Sequence, residues 1–236
     1  MGSSIGGLVD SIHRAEFRAA GAANALILID LADAVDVRVD RLNRASVAAS
    51  RIFALTAGIR EVNPVVFASN IANAQIDLVN PLIGTDGMGH TFPGACVPFG
   101  IVQLSPDTDT IPQNVDGVYQ KRVYEYCAGY KYSDPTIVGF SHTHFSGTGH
   151  SDLGDILIMP TTGELKLNPG TSDHPENGYR SRFSHDTEKS VPGYYEVMLD
   201  DYHVKAQLTA TPRVGVHRYT FPKDKEGRII LDLNHG

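Results

Sequence analysis

The segment richest in chemically able side chains is Gly139-Phe140-Ser141-His142-Thr143-His144-Phe145-Ser146-Gly147-Thr148-Gly149. It holds two histidines, four hydroxyls and three glycines, and no Asp, Glu, Lys or Arg. Imidazoles can ligate a metal, move a proton or hydrogen-bond a ligand. Hydroxyls add donors and acceptors at close range. An extended His142-x-His144 puts both rings on one face, with His150 and Asp152 following within reach of a metal site. Three readings of the pair stay open: a metal site, neutral hydrogen-bonding histidines, and packing. The second is favoured, because the barrel enzymes that use H-x-H need alternating strands and helices. The chain downstream of His144 does not supply that alternation.

Other candidate groups are weaker. Asp152 and Asp155 are the nearest thing to a carboxylate pair, and glycosidases need two carboxyl groups flanking one bond. Across Leu153-Gly154, however, they read as turn residues leading into a strand. No nucleophile-elbow pattern occurs. Gly84, Gly87 and Gly89 form a glycine-rich loop, but His90-Thr91-Phe92-Pro93-Gly94 follows where a nucleotide site would need a helix. That loop is expected to bring backbone amides close to a ligand or another domain. Tyr124, Tyr126, Tyr130 and Tyr132 share parity and would line one side of an extended segment, where rings can stack on sugar C–H faces. Packing of a sandwich face explains them equally well.

The elements that must position these groups are mostly strands. From Ile76 onward glycine and proline punctuate short segments, and 197–199, 204–209, 214–221 and 229–233 read as successive strands. His203, Lys205 and Gln207 alternate with Val204, Ala206 and Leu208, the pattern of a half-buried strand. Lys223-Asp224-Lys225-Glu226-Gly227 reads as a charged hairpin tip. The class is mainly β, an antiparallel β-sandwich over 76–236. Residues 1–75 differ: alanine clusters, proline is absent before Pro64, and two or three helices are expected in a partly helical or disordered leader. Within it, Arg51 to Ile59 and Ala72-Asn73-Ala74 before Gln75 have features of an export signal, interrupted by Arg60 and Glu61.

Composition excludes some functions. A net charge of -7 over 236 residues argues against nucleic acid, whose binders carry basic stripes. No apolar run is long enough for a spanning helix. Two cysteines, Cys96 and Cys127, define no disulfide framework and are read as small, partly buried thiols.

A set of ordered motifs resembles the N-terminal domain of glycoside hydrolase family 92, the exo-acting α-mannosidases. The motifs are Val79-Asn80-Pro81-Leu82-Ile83-Gly84-Thr85, His90-Thr91-Phe92-Pro93-Gly94-Ala95 and the run from Pro98 to Asp107. Gly129-Tyr130-Lys131-Tyr132-Ser133-Asp134, the 139–149 segment, Gly154-Asp155, Pro192-Gly193-Tyr194-Tyr195 and Leu208-Thr209-Ala210-Thr211 complete the series. The resemblance implies a sandwich preceding a larger (α/α)6 domain, in an inverting, calcium-dependent enzyme acting on high-mannose N-glycans. It implies that the acid, the base and the calcium site come from the helical domain, so that no catalytic or metal residue is expected in this chain. The implied role here is substrate binding, by His90, Thr91, Phe92, Ser141, His142, His144, Ser146, Gly147 and Thr148. The chain stops at Gly236, where the family continues, and it has no tryptophan, so stacking falls to Phe92, Tyr124 or Tyr126. A fragment inactive alone is therefore expected, secreted or periplasmic if the signal-like segment is used. A free-standing glycan-binding module and a metal-dependent hydrolase using His142 and His144 are the alternatives.

Overall fold

The computed structural model describes residues 14–19, 24–30, 75–109, 111, 114–147 and 153–235. Fifteen strands and three short 3-10 helices are described, and two large antiparallel sheets dominate.

The first large sheet has the order β1-β15-β9-β8-β4-β3: Arg14–Ala19, Gly227–Asp232, Leu157–Thr162, Gly139–Ser141, Gln103–Asp107 and Ala95–Cys96. The second has the order β11-β12-β13-β14-β2: Lys189–Val191, Tyr194–Leu199, Val204–Ala210, Val214–Thr220 and Asn24–Asp30. Two small two-stranded sheets pair β5 (Asn114–Val115) with β6 (Val118–Tyr119), and β7 (Thr136–Ile137) with β10 (Ser181–Arg182).

Alternation explains the second sheet. In β12 and β13 every second residue is buried, and these inner positions are Tyr195, Val197, Leu199, Val204, Ala206 and Leu208. They meet Leu104, Phe140, Leu157, Met159 and Ile230 of the first sheet in one apolar core. Phe140 and Tyr219 bring their rings to 6.1 Å within that core, and β13 also packs across β3 and β4. This is the expected sandwich. Four expected strands appear as β12 to β15.

Two expectations change, and the leader adds two strands to the sheets. The leader is described at two places only, and both are strands: β1 pairs along β15 from Arg14↔Asp232 to Ala19↔Gly227, and β2 along β14 from Asn24↔Thr220 to Asp30↔Val214. Open sheet edges offer unpaired backbone groups, and that tertiary pairing overrides local helix preference. The signal-like segments at 51–59 and 72–74 lie outside the described residues.

Residues 223–227 do not tip a hairpin, because β14 pairs with β13 and β2 whereas β15 pairs with β9 and β1. The chain crosses between sheets here. The Phe221 ring lies over Gly227, where an added Cβ would come within 2.7 Å of it.

The tyrosines do not share a face. Residues 121–126 form a 3-10 helix, with Tyr124 exposed and Tyr126 buried, and beyond it Tyr130 is buried and Tyr132 exposed.

Candidate functional site

Two loops at one end of the first sheet are joined. Gly84 has a φ of +82°, and a Cβ on Gly89 would fall 2.0 Å from the Gly84 carbonyl oxygen, so the loop closes tightly on itself. Thr91 locks it: its N–H donates to the Gly84 carbonyl at 3.2 Å and its hydroxyl to Ile83 O at 3.0 Å. The loop therefore binds its own backbone and delivers His90, Thr91 and Phe92. No helix follows it, which removes the nucleotide reading.

His90 takes a φ of +50°, and its carbonyl accepts the Gly147 N–H at 2.6 Å, tying this loop to the end of the 139–147 segment. Its ring meets Tyr124 edge-on at 4.5 Å. Nε2 of His90 is buried and has no hydrogen-bond partner among the described residues. Phe92 lies 5.3 Å from the His144 ring. The surface over this junction is formed by half-buried Thr91 and Phe92 with exposed Phe145, Ser146 and Gly147.

Beneath that surface is a charged, buried floor. His144 Nδ1 lies 2.7 Å from the Gln103 carbonyl, and its Nε2 lies 2.7 Å from Asp107 Oδ1. A carbonyl and an ionised carboxylate only accept, so both ring nitrogens carry hydrogen and the ring is a cation. Ser141 Oγ is 3.0 Å from the same Nε2, and His235 Nε2–H donates to Asp107 Oδ2 at 2.8 Å. Burial alone would raise the Asp107 carboxyl, but charge and hydrogen bonds from His144 and His235 outweigh it and hold the group far below the usual carboxylate range. Gly129, at φ +74°, covers the pair so closely that a Cβ would sit 2.0 Å from Asp107 Oδ1. This is not a Ser-His-Asp triad, because hydroxyl and carboxylate share one nitrogen instead of opposite ones.

His142 turns the other way, into the sandwich. Its Nδ1–H donates to Ile156 O at 2.8 Å, which leaves Nε2 as the acceptor of the neutral ring. His217 Nε2, 2.9 Å away, must then donate, and its Nδ1 accepts the Tyr219 hydroxyl at 2.8 Å. The chain Tyr219→His217→His142→Ile156 satisfies every polar atom with no charge. Burial drives His142 down to about 4 and, with His142 beside it, His217 well below the usual histidine value.

The sequence-derived residues therefore separate into layers. Thr91, Phe92, Ser146 and Gly147 reach the surface, His90 lies just under it, and Ser141 and His144 form the floor. His142 lies inside the sandwich, so the two imidazoles share no site. Each has both ring nitrogens committed to protein partners, which removes the metal-hydrolase reading built on the pair. Thr148, His150 and Asp152 lie outside the described residues. Asp155 accepts the Thr143 hydroxyl at 3.0 Å, the turn role expected of it. Cys96 is exposed and Cys127 buried, both as free thiols.

Sequence reading missed Asp107, His217, Gln103 and His235 as partners of these histidines. Their only local signal is that Gln103 and Asp107 fall within the Pro98–Asp107 motif. Calcium takes six to eight oxygen ligands. Among the described residues no group of three or more His, Cys, Asp or Glu side chains is placed to hold a metal ion, and both Asp107 oxygens already accept imidazole N–H groups. The described residues do not fit a calcium site.

Residues 78–236 match the glycosyl hydrolase family 92 N-terminal domain. The chain belongs to this family. A family GH92 α-mannosidase of Bacteroides thetaiotaomicron, solved in complex with mannoimidazole, is 52% identical with a TM-score of 0.57, over 62% of this chain and 18% of that one. A second GH92 glycosyl hydrolase structure is 32% identical with a TM-score of 0.53, over 68% of this chain and 20% of that one. An uncharacterized secreted glycosidase of Arthroderma benhamiae is 29% identical over 163 residues, 66% of this chain and 19% of its own length. This GH92 chain thus spans about a fifth of the length of these relatives. Among its described residues, no helix is long and apolar enough to cross a membrane.

Proposed function

We propose that this chain is the glycan-facing sandwich of a GH92 α-mannosidase and forms one wall of a mannoside pocket. The carrying observation is the junction of the two loops, Gly147 N–H to the His90 carbonyl, over the charge-balanced Asp107 floor. In this reading Thr91, Phe92, Ser146 and Gly147 face the sugar. Phe92 offers a ring for a sugar C–H face, and the hydroxyls and the Gly147 region offer hydrogen bonds. His90 Nε2, buried and without a partner among the described residues, lies just beneath this surface. Ser141 and His144 hold the wall in shape and do not touch substrate.

The acid, the base and calcium are assigned to the remainder of the enzyme, which inverts at terminal α-mannose of high-mannose N-glycans. An inverting reaction needs an acid and a base flanking a water, and Asp107, the carboxylate beneath this surface, is already engaged by His144 and His235. Leu78, Ile83, Met88 and Phe99 are exposed apolar side chains available for contact with the rest of the enzyme. Export is assigned by analogy with the secreted relative.

Incubating the purified 236-residue chain with an aryl α-mannoside, with and without calcium, tests the division of labour. No mannose release is expected. Mannoimidazole is expected to bind weakly in ligand-observed NMR, since a half-pocket lacks enclosing walls. Hydrolysis by this chain would overturn the assignment of catalysis elsewhere.

A further inference from the structure

A second buried carboxylate stands apart from the Asp107 floor. Glu188, in the turn before β11, has its side chain only 1% exposed. It accepts the Tyr195 hydroxyl of β12 at 2.6 Å and the Tyr130 hydroxyl at 2.9 Å. Burial, and then the Glu188 charge, pushes both phenols well up, so they remain donors and the carboxylate remains ionised. Half-buried His185 completes the cluster. Its Nδ1 lies 2.6 Å from Glu188 Oε2, and its Nε2 lies 2.8 Å from the Tyr132 carbonyl oxygen. Both partners only accept, so both ring nitrogens carry hydrogen and the ring is a cation. It lies flat on the Tyr132 ring, with centroids 3.9 Å and planes 9° apart, a position that favours a cation. Phe183 meets its edge at 5.1 Å. The titratable groups facing the pair are thus Tyr132, Tyr130 and Tyr195, while Asp134 acts on Tyr130 from further along the same loop. Asp186 and Lys189, in the turn that carries the pair, are exposed.

Tyr132 connects this cluster to the loop that carries Thr91. Its N–H donates to the Thr85 carbonyl at 2.8 Å, and the Ser133 hydroxyl donates to Asp86 Oδ1 at 2.9 Å. Thr85 is buried and adjoins Gly84, whose carbonyl accepts the Thr91 N–H. The loop is therefore held to the five-stranded sheet through Tyr132, His185 and Glu188 in turn. A neutral imidazole has one N–H and cannot serve two acceptors. When the ring loses a proton to solvent, the buried carboxylate keeps the remaining N–H, because a charged acceptor in a dry site holds a donor more strongly than a half-solvated carbonyl does. We propose that His185 is a positioning residue for the 84–91 loop: as an imidazolium it clasps the Tyr132 carbonyl, and it releases that carbonyl as pH rises through its titration. The Glu188 end stays joined to β12, so the clasp opens at Tyr132.

The test uses the whole chain. Ring-nitrogen and amide NMR spectra are followed from about pH 5 to about pH 9, across the range in which an imidazole titrates. Both His185 ring nitrogens are expected to be protonated at the acid end. The Ser133 amide, which follows the Tyr132 carbonyl, is expected to shift with the same midpoint as the ring. Protection of the Tyr132 amide against hydrogen exchange, taken relative to the intrinsic rate at each pH, is expected to fall about tenfold across that midpoint, the worth of one charge-assisted bond. In His185→Gln the carboxamide has no proton to lose, so the Ser133 titration is expected to vanish. A histidine that merely packs would move neither the Ser133 shift nor the Tyr132 protection with pH. A His185 ring carrying one proton at the acid end, or one that does not titrate across the span, overturns the proposal. So does a ring that titrates while Ser133 and Tyr132 stay constant, and so does a Ser133 titration that persists in the variant. If the glutamine variant fails to fold, the ring and amide midpoints of the wild type decide alone.

Discussion

Asp107 offers the sharpest test of the buried floor. Asp107→Ala leaves the Nε2–H groups of His144 and His235 without their acceptor, one of them on a cationic ring. Removing one partner of a buried, hydrogen-bonded charge pair costs about 3–5 kcal/mol. That is a large part of the roughly 5–15 kcal/mol that holds a domain together. Asp107→Asn should be milder. Neutral His144 can keep Nδ1–H on the Gln103 carbonyl and accept the new amide at Nε2, while His235 donates to the amide oxygen. Charge-assisted bonds become neutral ones, a loss of about 1–3 kcal/mol.

The pH dependence separates this account from a simple packing defect. The folded Asp107 carboxyl titrates below its unfolded value, so its stabilisation is complete above about pH 4 and is lost as pH falls toward the folded value. In that window wild type loses about 1.4 kcal/mol per pH unit from this group. Asp107→Asn has no carboxyl to protonate and so lacks this particular loss. Urea denaturation of both proteins at neutral pH and at about pH 3 reads the difference. The gap should narrow by about 1 kcal/mol or more on acidification. Equal stability at neutral pH, or a gap that does not close in acid, would refute the charged-floor reasoning.

Burial of neutral His142 predicts a second, separate window. Its folded value is about 4, so wild-type stability should fall between about pH 6.5 and pH 4 as the unfolded ring takes up a proton, and His142→Gln should flatten that slope in the same denaturation series. Gly129→Ala should destabilise the fold by about 2 kcal/mol or more, read as a lowered thermal midpoint, because φ is +74° and its Cβ would strike Asp107. Phe99→Gly should leave stability unchanged or raise it by up to about 1 kcal/mol, since Phe99 is fully exposed at φ +61°, where glycine is at ease. Tyr219→Phe should cost about 1–3 kcal/mol in urea denaturation by leaving buried His217 Nδ1 without its donor.

How much of this was legible in the sequence follows from how far each signal reaches. The strands from 194 to 232 could be read because one face of each is buried and alternation records it. The crossing at 221–226 could not, because a polar tip ending in glycine suits a hairpin and a crossover equally. Parity misled at 121–126, where the backbone is a 3-10 turn and a period of two does not apply. It misled again at His142 and His144, because β8 ends at Ser141 and the chain leaves the sheet before the second ring. The loops at 90–92 and 145–147 were legible as motifs. Their floor was not, since Asp107 and His235 are 128 positions apart and meet only when β4 and β15 share a sheet.

The most direct measurement of the central claim is an amide chemical-shift map of the chain titrated with methyl α-mannoside. The account predicts shifts that concentrate at Thr91, Phe92, Ser146 and Gly147, accompanied by the His90 ring, with the β12–β14 face silent. Shifts that fall elsewhere, or no shifts at saturating sugar, would contradict the assignment of this surface as a mannoside wall.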